Sequence, residues 1–490
     1  MRLIGALALA ATVFSPAAGP FVFEPAQADL IAAATLTNAW ADYDLDGDPD
    51  LFVGFNGPPN RLYRNDKGVL VDVAGDAGVA DARATRAAAW GDFDSDGDPD
   101  LLVGYAPGTE SVLRLYRNTG GRFTDVTFAL GLSVATGAVR QPAFVDFDAD
   151  GDLDLFVAFR DRPNALFLNN RGRFEDIASG VGLADPRKSV GALWFDYDQD
   201  GDLDLYVANQ DGDANGLFRH DWRKGASAFT DVAAAAGAEW AGRAPREATN
   251  GTVRPCAFDA NGDGWFDIFG ANYGPNGLLL LTRSAKARDV SRQLGVATEG
   301  RYDTCAPADI DNDGRMDFYV NGTITGGVAY RDYLFRNTGD VFSDATPENV
   351  RALPASHGAS WADFDGDGDL DLALAGTTAE RMPLLLRNQL PSSAAARSLS
   401  VRVLDRNGRA TRAGAEVRVY RAGTKRLIGS GLVDAGSGYN SQSDLPVHIG
   451  LGNLDRVDVQ VTVPAGGRRS VAWQRGVSPA RTRAITVRVP

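Results

Sequence analysis

One nine-residue pattern constrains this chain more than any other feature. Asp-x-Asp-x-Asp-Gly-x-x-Asp begins at Asp42 and returns at Asp92, Asp146, Asp196, Asp259, Asp309 and Asp363, with Asn261 replacing the second Asp in the fifth copy. The starts lie 50, 54, 50, 63, 50 and 54 residues apart. Near-constant spacing of this kind marks a repeated supersecondary unit rather than a string of unrelated domains.

The chemistry of the loop is that of a hard-cation site. Calcium takes six to eight oxygen ligands in a loose cage, from carboxylates and backbone carbonyls. The candidate ligands, at loop positions 1, 3, 5, 7 and 9, are Asp42, Asp44, Asp46, Asp48 and Asp50 in the first copy. In the next three they are Asp92, Asp94, Asp96, Asp98 and Asp100; Asp146, Asp148, Asp150, Asp152 and Asp154; and Asp196, Asp198, Asp200, Asp202 and Asp204. The last three supply Asp259, Asn261, Asp263, Trp265 and Asp267; Asp309, Asp311, Asp313, Arg315 and Asp317; and Asp363, Asp365, Asp367, Asp369 and Asp371. Position 7 varies freely, to Trp265 and Arg315, which fits a ligand offered by the backbone carbonyl. Position 6 is glycine throughout (Gly47, Gly97, Gly151, Gly201, Gly264, Gly314, Gly368), as a chain folding sharply around an ion requires. Up to seven calcium ions are expected.

An EF-hand would place a bidentate Glu at position 12 between two helices. Here position 12 is Val53, Val103, Val157, Val207, Gly270, Val320 or Leu374, and the flanks are strand-like. Runs such as Leu51-Phe52-Val53 and Leu205-Tyr206-Val207 follow the loops, as expected of strands buried on both faces. A second strand precedes each loop, often with Trp two residues ahead of the first Asp (Trp40, Trp90, Trp194, Trp361). A third reads Leu62-Tyr63-Arg64-Asn65 or Leu115-Tyr116-Arg117-Asn118, and a fourth follows a Gly turn at Phe123, Phe174 or Phe229. Four short strands per unit is a propeller blade. The expected fold is all-β: a seven-bladed propeller over residues 19–390, a linker over 391–397 and a β-sandwich-like domain over 398–490. The seventh repeat lacks its fourth strand, and Phe21-Val22-Phe23-Glu24 stands where that strand could be supplied from the other end of the chain.

Residues 1–18 read as a signal peptide: Arg2, an apolar run from Leu3 to Phe14, then small residues at Ser15, Ala17 and Ala18. A short buried helix is the alternative. The run is too short to span a bilayer, and no other stretch reads as transmembrane. A secreted or periplasmic protein is expected. Its two cysteines, Cys256 and Cys305, fall at nearly the same place in adjacent repeats. They could pair in an oxidising compartment or remain buried thiols.

The formal charge of −15 is unevenly spread. Residues 397–490 carry 16 Lys+Arg against 6 Asp+Glu, so the rest carries 33 against 58. The period-two strands of the tail, such as Val457-Asp458-Val459-Gln460-Val461, place Arg on outward positions. That face is either solvated or a contact to the acidic propeller, to anionic glycans or to an anionic membrane surface. The absence of a basic patch with interleaved aromatics disfavours nucleic acid.

The loops and blades resemble the FG-GAP (VCBS-type) repeats of integrin α-subunit propellers and secreted bacterial proteins, which implies calcium at each loop. The tail resembles the ASPIC/UnbV domain at Ala413-Gly414-Ala415, Gly438-Tyr439-Asn440-Ser441-Gln442, His448-Ile449-Gly450-Leu451-Gly452 and Pro464-Ala465-Gly466. Together they resemble the cartilage acidic protein family, although Val463-Pro464 stands where that pattern often reads Trp-Pro.

Paired carboxylates do the chemistry in glycosidases, but here they recur in every repeat, whereas a catalytic pair is unique. The three histidines, His220, His357 and His448, form no catalytic or zinc-ligating pattern. The chain therefore reads as a monomeric, non-enzymatic binding or adhesion module for a protein or glycan at the propeller face. A calcium-assisted polysaccharide lyase or hydrolase at the propeller mouth is the alternative. The insertion Ala238 to Asn250, with Trp240, Arg243 and Arg246, is the candidate for a specialised contact.

Overall fold

Each repeat forms a four-stranded antiparallel meander, because its strands are short, β-branched or aromatic, and separated by Gly-containing turns. The computed structural model describes residues 21–108, 110–221, 228–245, 249–353, 356–376, 382–436 and 438–489. The expected signal peptide and Arg246 lie outside them. Blade one runs Thr35–Ala41, Asp50–Phe55, Arg61–Asn65 and Leu70–Asp72 from axis to rim. Blades two, three and four repeat the order from Thr85–Gly91, Val139–Val145 and Ser189–Phe195. Blades five and six begin at Gly251–Phe258 and Glu299–Ala308, and share one larger sheet because Asp267–Pro275 also pairs with Glu299–Ala308. Small helical turns not expected from the sequence, such as Ala74–Ala77 and Ala178–Val181, follow several outer strands and end on left-handed glycines.

The ring closes as expected. Phe23–Pro25 pairs with Leu385–Asn388 and completes the seventh blade outside Gly358–Ala362 and Asp371–Ala375. Phe23 is buried, with its ring 6.1 Å from Trp361. Closure removes a free sheet edge.

Beyond a single helical turn at Ser392–Ala395, two sheets face each other. One contains Ser398–Leu404, Val447–Gly450 and Ala484–Arg488; the other contains Glu416–Arg421, Leu427–Leu432, Val457–Pro464 and Arg469–Val477. Alternate valines, including Val417, Val419, Val457, Val459 and Val461, fill the space between them.

The tail also enters the ring. Ser441–Gln442 adds in parallel to the inner strand of blade two, opposite Ala88 and Ala89. The strands around a propeller axis present unpaired backbone groups that cannot be left buried and unbonded. The loop satisfies them: the Gln442 amide receives the Phe144 N–H at 2.6 Å and donates to the Phe144 carbonyl at 2.9 Å. Thr37 and Gln141 donate to the Tyr439 and Ser441 carbonyls, at 3.1 and 2.8 Å.

Candidate metal loops and the docked tail

In all seven loops the backbone turns left-handed twice. Position 6 has φ between +87° and +102° at Gly264 and Gly368, with the other five glycines between them. Position 4 (Leu45, Ser95, Ala149, Gln199, Gly262, Asn312, Gly366) is also left-handed, although mostly not glycine. The first-position carboxylate accepts the position 6 N–H, from Gly47 to Asp42 at 3.1 Å and from Gly314 to Asp309 at 2.8 Å. The position 9 aspartates, Asp50, Asp100, Asp154, Asp204, Asp267, Asp317 and Asp371, are buried at the start of each second strand. There they accept the backbone N–H of the third strand, as from Asn65 to Asp50 at 2.8 Å.

This folding crowds negative charge. Asp42, Asp44 and Asp50 bring carboxylate oxygens within 4.8 Å of one another, as do Asp92, Asp94 and Asp96; Asp146, Asp148 and Asp150; Asp196, Asp198 and Asp204; and Asp309, Asp311 and Asp317. Burial first, and neighbouring carboxylates second among the raising effects, push Asp50 up to about 8 and Asp100 up to about 9. Asp154, Asp204, Asp317 and Asp371 are pushed well above the ordinary carboxylate range. Buried oxygens of Asp42, Asp44, Asp94, Asp198, Asp311 and Asp371 have no hydrogen-bond partner. Buried, unbonded carboxylate oxygens held within one coordination radius are a donor set that fits a hard divalent cation.

The loops are not equivalent. Asn261 donates to Asp263 at 3.0 Å, so the fifth loop relieves part of its own repulsion. Arg315 turns its guanidinium onto Asp313 and donates from Nε to the Asn337 carbonyl at 2.9 Å. Both position 7 residues with non-acidic side chains donate their backbone N–H to position 5, at 2.9 Å in each.

The tail docks on this loop face. Arg412 Nη1 reaches Asp146 at 2.7 Å, Arg409 reaches Asp152 at 3.4 Å and Arg469 Nε reaches Asp196 at 3.3 Å. Arg418 donates to the Gly264 carbonyl at 2.6 Å and Arg483 to the Asp367 carbonyl at 2.7 Å. The backbone N–H of Gly450 donates to Asp309 at 2.8 Å, and His448 meets Asn312 at 2.8 Å. Of the roles open to the tail arginines, contact with the acidic propeller is the one these five fill. A cavity of about 590 Å³ separates ring and tail, lined by Trp194, Cys256, Phe258, Trp361, Leu432 and His448 among others.

Models of the FG-GAP-like repeat match residues 42–103, 104–157, 146–207, 259–320 and 324–374, more than half the chain. The chain belongs to the FG-GAP-like repeat family. An ASPIC and UnbV model matches residues 406–480. Cartilage acidic protein 1 of Mus musculus is 29% identical over 70% of this chain and 53% of its own length, so the chain spans about half of that relative. The Xenopus tropicalis protein of the same name is 27% identical over 89% of the chain and 71% of its own length. Among solved structures, an Agrocybe aegerita lectin that recognises non-reducing terminal N-acetylglucosamine aligns over 76% of this chain and 94% of its own, at 17% identity and TM-score 0.39.

The FG-GAP repeats contain a blade-to-blade tie that sequence reading left without a role. The Asn ending the third strand donates to the carbonyl at loop position 2 of the preceding blade: Asn118 to Tyr43 at 2.8 Å, Asn169 to Phe93 at 2.8 Å and Asn388 to Ile310 at 3.1 Å. Across the seam, Asn65 donates to Phe364 at 2.6 Å. In blade four His220 holds this position and stacks on Phe229 at 4.3 Å. Cys256 and Cys305 are joined in a disulfide between the inner strands of blades five and six, with Cα atoms 6.0 Å apart. Arg243 of the insertion is buried, and donates to the Asn209 carbonyl and Asn215 at 3.3 and 3.1 Å. It supports the blade edge rather than forming an exposed contact. Among the described residues no helix is long and apolar enough to cross a membrane.

Proposed function

We propose that this is an exported, calcium-stapled propeller that acts as a binding module, with residues 1–18 as its signal peptide, 19–390 as the ring, 391–397 as the linker and 398–490 as the docked tail. The observation that carries the calcium reading is the set of buried loop carboxylates whose oxygens converge without partners. Asp or Asn at positions 1, 3, 5 and 9 and the position 7 carbonyl would hold the ion, whose charge would relieve their repulsion. Sites absent from the unfolded chain convert ion affinity into folding stability, and calcium outside the cytosol is abundant enough for sites of modest affinity.

Binding rather than catalysis is supported by the repetition of the carboxylate pattern around the ring, since chemistry needs one differentiated site. The ring face opposite the loops is the surface proposed to meet a protein or glycan partner, with the chain acting as a monomer. Thermal melting with calcium and then with EGTA, together with metal counting by mass spectrometry, tests the reading. A large fall in melting temperature and roughly one ion per loop support it. No shift and no bound metal would sink it.

A further inference from the structure

The inner strands run from the far face of the ring to the loop face. Six residues before each loop, about 20 Å from it along an extended strand, stand Leu36, Arg86, Arg140, Val190, Val253, Asp303 and His357. In six of the seven blades the pairing register shifts here, between Thr35 and Thr37, Thr85 and Ala87, Val139 and Pro142, Ser189 and Gly191, Thr252 and Arg254, and Tyr302 and Thr304. A bulge re-aims the side chain at the extra residue.

Among the described residues, the arginines gathered at this level have no carboxylate in ion-pair contact. Arg254, with no exposed surface, donates to neutral acceptors, Gln141 and Asn440 (2.9 Å to the latter), and its Nε has no partner. The Arg140 guanidinium donates to the Val139 carbonyl at 3.1 Å. Among the described residues, Arg86, Arg140 and Arg254 form no ion pair. Burial draws Arg140 and Arg254 below the usual arginine range; Arg86 and Arg160 add to this at Arg140, while Asp303 acts against it at both and Asp434 at Arg254. Asp303, the carboxylate at this level, is taken by His357 Nδ1 at 2.5 Å. An arginine as buried as Arg254 is normally matched by an acid.

The tail completes the arrangement. Its loop enters the ring and delivers Tyr439, whose ring lies 5.9 Å from the Arg254 guanidinium and 5.9 Å from the His357 ring. Tyr273 lies beside Asp303 and carries the Arg301 guanidinium 4.8 Å from its ring centre. Aromatic faces next to unpaired guanidinia provide both a stacking surface and bidentate donors.

We propose that this mouth is a binding site for an oxyanion-bearing small ligand, a carboxylate or a sulfate, held by the half-buried Arg86 and Arg140, with Arg254 adding positive charge from beneath and Tyr439 of the tail as its floor. None of these residues is a loop ligand. The inference deepens the binding reading by naming one site. Guanidinium–oxyanion pairs are charge-assisted and often bidentate, so the loss of one should weaken binding about tenfold.

The test is calorimetric titration of the full calcium-loaded chain with sodium glucuronate and with sodium sulfate at constant ionic strength, with glucose as the neutral control. The variants are Arg86→Gln, Arg140→Gln and the double variant; these side chains are half-buried, and an unchanged melting temperature certifies the fold where Arg254→Gln could fail. Saturable binding of either anion, lost in the double variant, supports the site, and the anion bound assigns the class. No saturable binding of either, equal binding by the double variant, or equal binding of glucose overturns it. A protein partner that binds the double variant as tightly as the parent would leave the interaction reading standing and remove this site from it.

Discussion

Replacing Phe23 by alanine tests how the ring is closed. The strand Phe23–Pro25 makes three residue pairings with Leu385–Asn388, and its anchor is one ring with 1% exposure. That ring packs against Trp361, and the Phe23 carbonyl accepts the Asn349 amide at 2.5 Å. Truncating a buried Phe to Ala removes its transfer free energy and leaves a cavity, together about 3–5 kcal/mol. Unfolding entropy of roughly 2 cal/mol/K per residue makes 1 kcal/mol worth about 1.3 °C in a unit the size of this ring. Phe23→Ala should therefore melt roughly 4–7 °C below the parent in calcium. Val22, which is 49% exposed beside it, is the control. Val22→Ala should stay within about 0.5 kcal/mol, since surface changes away from special features seldom cost more. Differential scanning calorimetry of both variants decides the matter. Equal melting would show that this segment is not docked and that the seventh blade closes without it.

Calcium-free protein should lose stability as pH rises. Asp50 and Asp100 have folded values of about 8 and about 9 against a reference of 3.8, so their contribution is full below about pH 4 and disappears as pH climbs through those values. Melting of the dialysed, metal-free chain should fall between pH 5 and pH 9 by about the same reasoning, while the calcium-loaded form holds level. His220 behaves oppositely: burial lowers it to about 4 from 6.5, so its contribution is full above about pH 6.5 and lost as pH falls through about 4. His220→Asn should remove that acid-sensitive step from the pH profile of melting. Reducing Cys256–Cys305, which spans 49 residues, should cost about 4 kcal/mol from loop entropy, read as a lower denaturation midpoint. Arg412→Ala should raise hydrogen exchange in the tail near Arg409 to Gly414 by undocking it from Asp146, and unchanged exchange would show that the ion pair does not hold the tail down.

Periodicity made the ring legible, because each blade repeats the same loop, turn and strand pattern. The seam was legible as well, from a missing fourth strand at one end and a spare Phe-Val-Phe at the other. The loop turns were half legible: Gly47 and its equivalents announce a left-handed residue, but Leu45 and Ala149 adopt one with side chains that do not announce it. The disulfide could not be settled from sequence, because equal repeat positions do not determine the distance between strands. The charged level at the mouth opposite the loops was hidden by the repeat itself. Its signal is the departure of Arg86, Arg140, Asp303 and His357 from the aliphatic Leu36, Val190 and Val253, visible only when the repeats are aligned upstream of the loops. The place of Tyr439 was not legible at all, because which module threads another depends on the assembled shape.

The tail loop inside the ring has a consequence for assembly. It bonds blades one, two, three and five through Thr37, Ala88, Gln141 and Arg254, and reaches blade four where the Trp194 N–H meets the Ala435 carbonyl at 3.3 Å. Those contacts can be made together only at one channel diameter, and blade number sets the diameter. The C-terminal module thus works as a gauge. A ring one blade short or one blade over could not seat it, and the seam that closes the circle lies at the opposite end of the chain. Correct closure is therefore read out only once the Phe23–Pro25 strand and the tail loop are both in place, which makes the ring depend on segments outside its own repeats.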